Sequence, residues 1–598
     1  MINLIKHLFS LLTSRQRRQF FALQILVVFM AVAETAGVAS IIPFMALVGN
    51  MSQLQQDTFI AQIYQASGVN SETQFLFLLG FGVLGMLFIA TLISSYTIWT
   101  LSMFSNKIGA EIADRLYTHY LKQGWLFHAS GSSALLTKKI AIESMRVTTG
   151  ILLPLMHVNA KTILALLMIS SIFIYDPMVA IIIFSIFALA YSVLFTVVRM
   201  RLQKNGRIIS TVNEQRFRLM NEGFGGIKDV LLLGRDSDFI ERFNKTGISL
   251  AKSLGTNDAL GTVPRYIMEL VAFGSMIAVV LYLIANYEGN LGVILPILSV
   301  YALAGVKLLP AFQSVYTSIA KIRAHSPAFE SIQDDLTHSK STKLSTSNSE
   351  DVFLIPQKKI SLENVTFKYP NKEENALNNL NISIPVNSIV GIVGPSGSGK
   401  STLVDILLGL IKPQQGQLKI DENIIDNKNC RSWQNTIGFV AQNIFLSEGT
   451  ISENVAFGIP KDQINQNQVL RALKLAHLDE LVKSFEDGIH TRVGERGIQL
   501  SGGQRQRIGI ARALYYKAEV LVFDEATSSL DGITEKMIME AIHNFSGQKT
   551  IIMIAHRLKT VQKCDQIFFV DKGSVIDKGT YQELIKTNEQ FKNMAANA

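Results

Sequence analysis

The sequence predicts a multi-domain chain: a six-helix, all-α transmembrane domain fused to a mixed α/β globular domain. Three observations lead there. The mean hydropathy is +0.27 with 17% charged residues over 598 residues, too apolar for a soluble protein of this length. That apolar character is confined to roughly the first 325 residues. A tract rich in Ser, Thr, Lys and Asn, from Asp334 to Asp351, then separates it from a part with ordinary globular composition, and such a tract cannot pack a core. The expected organisation is an interfacial segment at 1–19, a membrane domain at 20–325, a linker at 326–357 and an α/β domain at 358–598.

At the N-terminus, Ile2, Leu4, Ile5, Leu8, Leu11 and Leu12 alternate with Lys6, His7, Arg15 and Arg17, the pattern of an amphipathic helix lying in a membrane interface. A cleaved leader is the rival reading, but the apolar run that follows is too long for a signal core. Six stretches have the length a helix needs to cross hydrocarbon: 20–47, 75–104, 151–175, 178–198, 263–287 and 291–319. The connections at 50–74, 176–177 and 286–290 contain no Lys or Arg, whereas 105–149 and 199–257 are rich in both. The first three therefore face outward, and the last two face the cytoplasm with both termini. This orientation accounts for the net charge of +9 without nucleic acid as a partner.

Both cytoplasmic connections are long, so their helices extend beyond the membrane. In one of them, 219-LMNEGFGGIKDVLLLGRDSDFIERF-243, helical spacing is broken at Gly223, Gly225, Gly226 and Gly234, predicting a helix, a bend and a docking helix. In the first outward loop, Phe59, Ile60, Ile63 and Tyr64 fall on one face of a short helix expected to touch lipid. Within the spans lie Glu34, His157, Lys161, Arg265, Glu269 and Lys307. Charged types cost about 2.5 to 3.5 kcal/mol each at mid-membrane, so they should face a polar cavity or one another. Glu34, Arg265, Glu269 and Lys307 are the candidate substrate path, with Lys307 having no acidic residue within a turn. The cysteines, Cys430 and Cys564, lack metal-ligand spacing and read as reduced and structural.

The α/β part opens with an apolar run at 388–393, then 394-GPSGSGKST-402, then Leu403, Ile406, Leu407 and Leu410 at helical spacing. A strand, a glycine loop and a helix form the context a phosphate-binding loop needs. Gly394, Gly397 and Gly399 let backbone N–H groups wrap phosphates, with Pro395, Ser396, Ser398 and Thr402 completing the loop. Lys400 reaches the β and γ phosphates, and Ser401 offers its hydroxyl to Mg²⁺. Further on, 520-VLVFDE-525 is a buried strand ending in two carboxylates, Asp524 for the metal and Glu525 for the proton of attacking water.

These elements precede and follow 500-LSGGQRQRIGIARAL-514, which resembles the signature of the ABC ATPases. The family's other motifs occur in order. Tyr369 matches its adenine-stacking aromatic, Gln442 its metal-contacting glutamine loop, Glu495 its exporter loop, Ser528 to Asp531 its D-loop, and His556 its switch histidine. The resemblance implies that ATP and Mg²⁺ bind, with Ser401, Gln442 and Asp524 at the metal. It also implies that Ser501, Gly502, Gly503 and Gln504 close over ATP held by a second chain. One ATPase domain with six spans resembles a half-transporter of the ABC exporter (type IV) fold, working as a homodimer.

For the cargo, 34-ETAGVASIIPFMALV-48, 264-PRYIMELVAFG-274 and 307-KLLPAF-312 are similar to the lipid-linked oligosaccharide flippase of the PglK type. That resemblance implies movement of a lipid-linked glycan to the outer leaflet of a bacterial inner membrane, on a cationic path for a pyrophosphate. The alternative is a multidrug or lipid A type exporter, which predicts an aromatic and Met-lined cavity with less need of buried cations.

Overall fold

The structure, a computed structural model, describes residues 2–596 except 50, 52, 53, 55–58, 70, 176, 287–290, 340–351, 371, 495, 496, 527–531, 544 and 556. It divides into two compact units, Met1–Gln123 with Phe127–Leu344, and Gly124–Leu126 with Ser345–Ala598.

The first unit is helical throughout. Its elements in order are α1 (Ile2–Leu11), α2 (Ser14–Ala39), α3 (Ile41–Gly49), α4 (Phe59–Ala66) and α5 (Glu72–Leu121). Then come α6 (Trp125–Ser130), α7 (Ser133–Lys138), α8 (Ser144–Val147), α9 (Leu153–Tyr175), α10 (Pro177–Gly225), α11 (Ile227–Leu232), α12 (Asp236–Thr262), α13 (Pro264–Asn286) and α14 (Leu291–Ser339). Among the described residues, four helical stretches are long and apolar enough to cross a membrane: Ser14–Gly49, Glu72–Leu121, Ser133–Ile174 and Ser185–Gly225. α13 and α14 occupy the fifth and sixth expected spans. At 49 or 50 residues, α5, α10 and α14 are about 75 Å long at 1.5 Å per residue, against a hydrocarbon core of about 30 Å. The length beyond the apolar stretches follows from that arithmetic. Residues 326–339, expected in the linker, continue α14.

Two expectations change. The apolar face of α1 does not lie free at an interface: Leu8, Leu11 and Leu12 are buried in a cluster with Leu101, Ile108, Phe329 and Leu336. A capping box places the chain there, since Thr13 Oγ1 accepts from the amide of Gln16 while Gln16 Oε1 accepts from the amide of Thr13. Likewise Ile60 and Tyr64 of α4 pack on Leu47, Leu54 and Phe75, with the Tyr64 and Phe75 rings edge to face at 5.0 Å. Ile63 stays exposed.

Between α7 and α9 the chain makes two π-helical turns, Lys139–Glu143 and Thr148–Leu152. They turn a charge cluster inward. Glu143 is fully buried, 2.8 Å from Arg146 and 3.4 Å from Lys138. Lys138 also meets Glu214, and Arg146 donates to Ser210 Oγ at 2.6 Å and to the carbonyl of Gly206 at 3.3 Å, which ties this segment to α10.

The second unit holds two sheets. Its strands are β1 (Lys359–Phe367), β2 (Leu377–Pro385), β3 (Ile389–Val393), β4 (Gln415–Ile420), β5 (Asn423–Ile424), β6 (Ile437–Val440), β7 (Val520–Asp524), β8 (Thr550–Ile554), β9 (Gln566–Asp571) and β10 (Ser574–Gly579). Among the described residues, β2-β1-β4-β5 form one sheet and β10-β9-β3-β8-β7-β6 the other. β9, β3, β8, β7 and β6 run parallel. All five residues of β3 and of β8 are buried, as strands covered on both faces require, which is why their sequences are continuous apolar runs.

Glu143→Ala would leave Arg146 buried without its carboxylate and Lys138 with Glu214 alone, a loss of about 3 kcal/mol. The expected result is a marked fall in the thermal midpoint of the purified protein, measured by intrinsic fluorescence, whereas the exposed Glu241→Ala leaves it unchanged.

Candidate nucleotide site

β3 delivers the chain into residues 394–399, and α15 (Lys400–Leu407) follows. Two glycines are needed for steric reasons. A Cβ on Gly394 would stand 2.0 Å from the carbonyl oxygen of Val570, and Gly399, which caps α15, has φ +101° with the Ala376 carbonyl 2.6 Å from where a Cβ would be. The loop closes on its own lysine: Lys400 Nζ donates to the carbonyls of Gly394 and Pro395, both at 2.8 Å. Burial pulls the ammonium pKa down, opposed by Glu525 and Asp524. Ser396, Gly397, Gly399, Lys400, Ser401 and Thr402 line a cavity of about 790 Å³, large enough for a nucleotide. Ser398 Oγ is buried beneath it with no partner among the described residues.

The far wall of the cavity carries residues with no motif to announce them. Glu374, Asn375 and Asn378 precede or begin β2, and Lys572 and Gly573 form the β9–β10 turn. That turn is locked to the loop, because Gly573 donates its amide to the Ser398 carbonyl at 3.0 Å and accepts from Asn378 at 2.8 Å. Positive φ at Lys572 and Gly573 is the one local signal, a tight hairpin turn.

β7 ends at Asp524. Glu525 departs from the strand at φ +50°, unusual for a residue with a Cβ, with its amide donating to the Ile554 carbonyl at 3.0 Å. Gln442, just past β6, donates from Nε2 to Glu525 Oε2 at 2.7 Å, leaving its amide oxygen as an acceptor. Gln506 reaches the Glu525 carbonyl at 3.3 Å. Ser401, Gln442 and Asp524 offer hydroxyl, amide and carboxylate oxygens, a set that suits Mg²⁺ when nucleotide phosphates complete its shell. Among the described residues no three His, Cys, Asp or Glu side chains gather to hold a metal on their own.

Tyr369 stands beside the loop helix, its hydroxyl 3.1 Å from Thr402 Oγ1 and its ring edge-on to Phe367 at 5.0 Å, and it is not among the residues lining the cavity. Ser501 begins the helix Gly502–Tyr515 with a capping box to Gln504. None of Ser501, Gly502, Gly503 and Gln504 lines the cavity either. Glu495, Ser528 to Asp531 and His556 lie outside the described residues.

In the membrane unit, Lys307 Nζ lies 3.4 Å from Glu34 Oε2, and the other oxygen of Glu34 accepts from Ser94 Oγ at 2.6 Å. Arg265 Nε lies 2.6 Å from Glu269 Oε1. Lys307 thus finds an acid on α2, across the bundle instead of along its own helix, and all four residues expected on a substrate path fall into two ion pairs.

Long apolar helices joined to a parallel-sheet domain whose glycine loop and acid pair both follow the C-terminal ends of its strands define a membrane transporter run by nucleotide hydrolysis. The comparisons make the class specific. Residues 39–313 match the ABC transporter transmembrane region and residues 377–528 match the ABC transporter family. The chain is 28% identical over 504 residues, 82% of each protein, to an ATP-dependent lipid A-core flippase of Cupriavidus pinatubonensis. It is 33% identical over 324 residues, 54% of this chain and 53% of the relative, to a multidrug resistance ABC transporter ATP-binding and permease protein of Lactococcus lactis. A solved bacterial Atm1-family ABC exporter with ATP bound has the same fold, with a TM-score of 0.79 and 21% identity over 97% of this chain and 98% of that one. The protein belongs to the ABC exporters: it is a half-transporter that couples ATP hydrolysis to transport.

Lys400→Ala removes the ammonium around which the loop closes and should weaken binding of ATP and GTP alike. Equilibrium titration with labelled nucleotides checks this, and unaltered affinity for both contradicts the placement.

Proposed function

We propose that two copies of this chain form an exporter that carries an amphipathic lipid with an anionic, sugar-bearing head, of the lipid A type, from the cytoplasmic to the outer leaflet of a bacterial inner membrane. The observation that supports the choice of cargo is the aromatic and Met lining that the membrane helices present, Phe187, Phe273, Met276, Tyr301 and Phe312, as the alternative requires. Arg265 is paired with Glu269 and Lys307 with Glu34, so the reading does not depend on a cationic path. Relatives named for lipid A-core and multidrug transport support the same reading.

In this reading all six expected stretches span the membrane and both termini are cytoplasmic. The second copy supplies what one chain lacks. The loop cavity has no signature residue in its wall, so Ser501, Gly502, Gly503 and Gln504 of each copy close over ATP held by the other. Exposed Phe224, Leu231, Leu232 and Leu233 at and beside α11 form an apolar patch that a partner copy would cover. Ser401, Gln442 and Asp524 would hold Mg²⁺, which when bound would offset the charge of the nucleotide phosphates, while Glu525 would accept the proton of the attacking water and Asp531 and His556 would act as the family resemblance implies.

Vesicles containing the purified protein test the cargo. ATP-dependent flipping of a labelled lipid A type glycolipid is expected, and movement of a polyprenyl pyrophosphate glycan in its place would reverse the assignment. Glu525→Gln keeps the shape and loses the proton acceptor, so ATP binding should persist while turnover falls by about 10² or more. Phosphate release and nucleotide trapping read the two separately. Replacing both members of the membrane pair, Glu34→Gln with Lys307→Met, should preserve flipping better than Lys307→Met alone, which strands a buried carboxylate.

A further inference from the structure

α1 and the part of α14 beyond its apolar stretch enclose a cavity of about 220 Å³. Asn3 and His7 line it from α1, and Ile322, Arg323, Phe329 and Glu330 from α14, so its wall carries charges of both signs over an apolar floor. The groups that could bind a guest are not spent on the protein. Among the described residues the side chains of Asn3, His7 and Arg323 have no partner, and the hydroxyls of Ser10 and Ser326 bond to the backbone carbonyls of His7 and Arg323 instead. Glu330 meets Arg207 at 3.9 Å, with both side chains half exposed or more, which makes a weak pair. The place of the cavity along the helices is also informative. The apolar stretch of α14 ends near Ile319, and Arg323 follows four residues later, about 6 Å further at 1.5 Å per residue. That falls within the polar layer of roughly 5 to 7 Å that flanks the hydrocarbon on each side. Glu330 stands two turns beyond Arg323, and helical side chains lean back toward the N-terminus, here toward Arg323 and the bilayer.

We propose that this cavity holds the head group of a resident phospholipid that carries both a phosphate and a primary ammonium, phosphatidylethanolamine, and that the lipid clasps α1 to α14. It is a structural lipid and not cargo, so the inference stands apart from the export reading. A guanidinium forms paired hydrogen bonds with a phosphate, and a carboxylate accepts from an ammonium. A head that is purely anionic would meet Glu330 as a like charge, and a choline head has no N–H to donate to it. The order of the groups fits a lipid entering from the bilayer, with the phosphate at Arg323 and the ammonium beyond it at Glu330. Ile322 and Phe329 receive the glycerol end. α1 already packs Leu8, Leu11 and Leu12 on the bundle, and the head group adds a polar bridge from Asn3 and His7 at the outer edge of that contact.

Native mass spectrometry of the full-length protein, released from micelles containing ethanolamine, choline and glycerol phospholipids of matched acyl chains, counts the lipid each molecule retains. The wild type should hold the ethanolamine lipid about tenfold over the other two, the scale of one hydrogen bond to a charged group. Glu330→Gln should bring the ethanolamine lipid down to the level of the choline lipid, and Arg323→Gln should lower both together, since both carry the phosphate. Exposed Lys245→Gln on α12 should alter neither. A second measurement needs no variant. In nanodiscs of phosphatidylethanolamine and phosphatidylglycerol, a carbodiimide that joins carboxylates to primary amines should leave the lipid amine coupled to the peptide containing Glu330. Equal retention of the three lipids by the wild type, or no coupling at Glu330, overturns the site. Free phosphoethanolamine should displace the lipid poorly. If it competes as well as the lipid itself, the occupant is a solute and the lipid assignment falls.

Discussion

The catalytic edge depends on the register of three parallel strands. Ile392 of β3 pairs with Ile554 of β8, which pairs with Asp524 of β7, so the three strands finish level. The glycine loop leaves the first, and the acid pair ends the third, two strand spacings or about 10 Å away. Side chains alternate along a strand, and a one-residue slip of β7 would turn Asp524 to the opposite face and leave Lys400 without the two carboxylates that oppose its deprotonation. The left-handed turn at Glu525 extends this constraint by one residue. Its amide continues the ladder to Ile554 while its side chain swings to Gln442, so the end of β6 is drawn into the same site. Ligands of parallel sheets sit at such strand ends for this reason.

What was legible in the sequence was what is local along the chain. The strand, loop and helix around Lys400 are contiguous, and so is the capping box at Ser501, because Ser followed three residues later by Gln is itself the geometry. Arg265 and Glu269, four apart on one helix, were also readable as a pair. Contacts between distant segments were not. Glu34 and Lys307 are 273 residues apart and meet only because α2 and α14 pack in the same bundle, so no search within a turn of Lys307 could find its acid. The same holds for Lys572 and Gly573, brought to the loop by a hairpin far down the chain. α1 looked interfacial because its apolar stripe is equally suited to lipid or to a groove on α5 and α14, and composition does not distinguish the two.

Small residues do opposite work in different parts of the helical unit. In the segments that flank the apolar stretches Gly109, Gly150 and Gly206 permit close approach: a Cβ on each would fall 2.0 to 2.2 Å from Thr148, His325 and Ala324 respectively. Tight backbones there enclose the Glu143 cluster and leave His325 buried beside Arg146 and Lys321, which holds its pKa down to about 4 and keeps the ring neutral at physiological pH. On α14, Gly305 lies on an exposed stretch where a Cβ would meet nothing within 4 Å. The first arrangement trades side-chain volume for close packing, and the second leaves the helix surface open.

The pairing of charges and the apolar faces of the helices bear on how work is divided. A buried carboxylate in hydrocarbon is costly, and Glu34 is made tolerable by Lys307 and Ser94 together. Once those groups satisfy one another, neither offers strong attraction to a passing head group. Nor can the apolar faces supply much affinity for a lipid tail, since leaving the bilayer for a protein interior gains contacts without any release from water. Neither the paired charges nor the apolar helix faces of a single chain therefore supply a large binding free energy, and the free energy of directed transport is left to ATP hydrolysis.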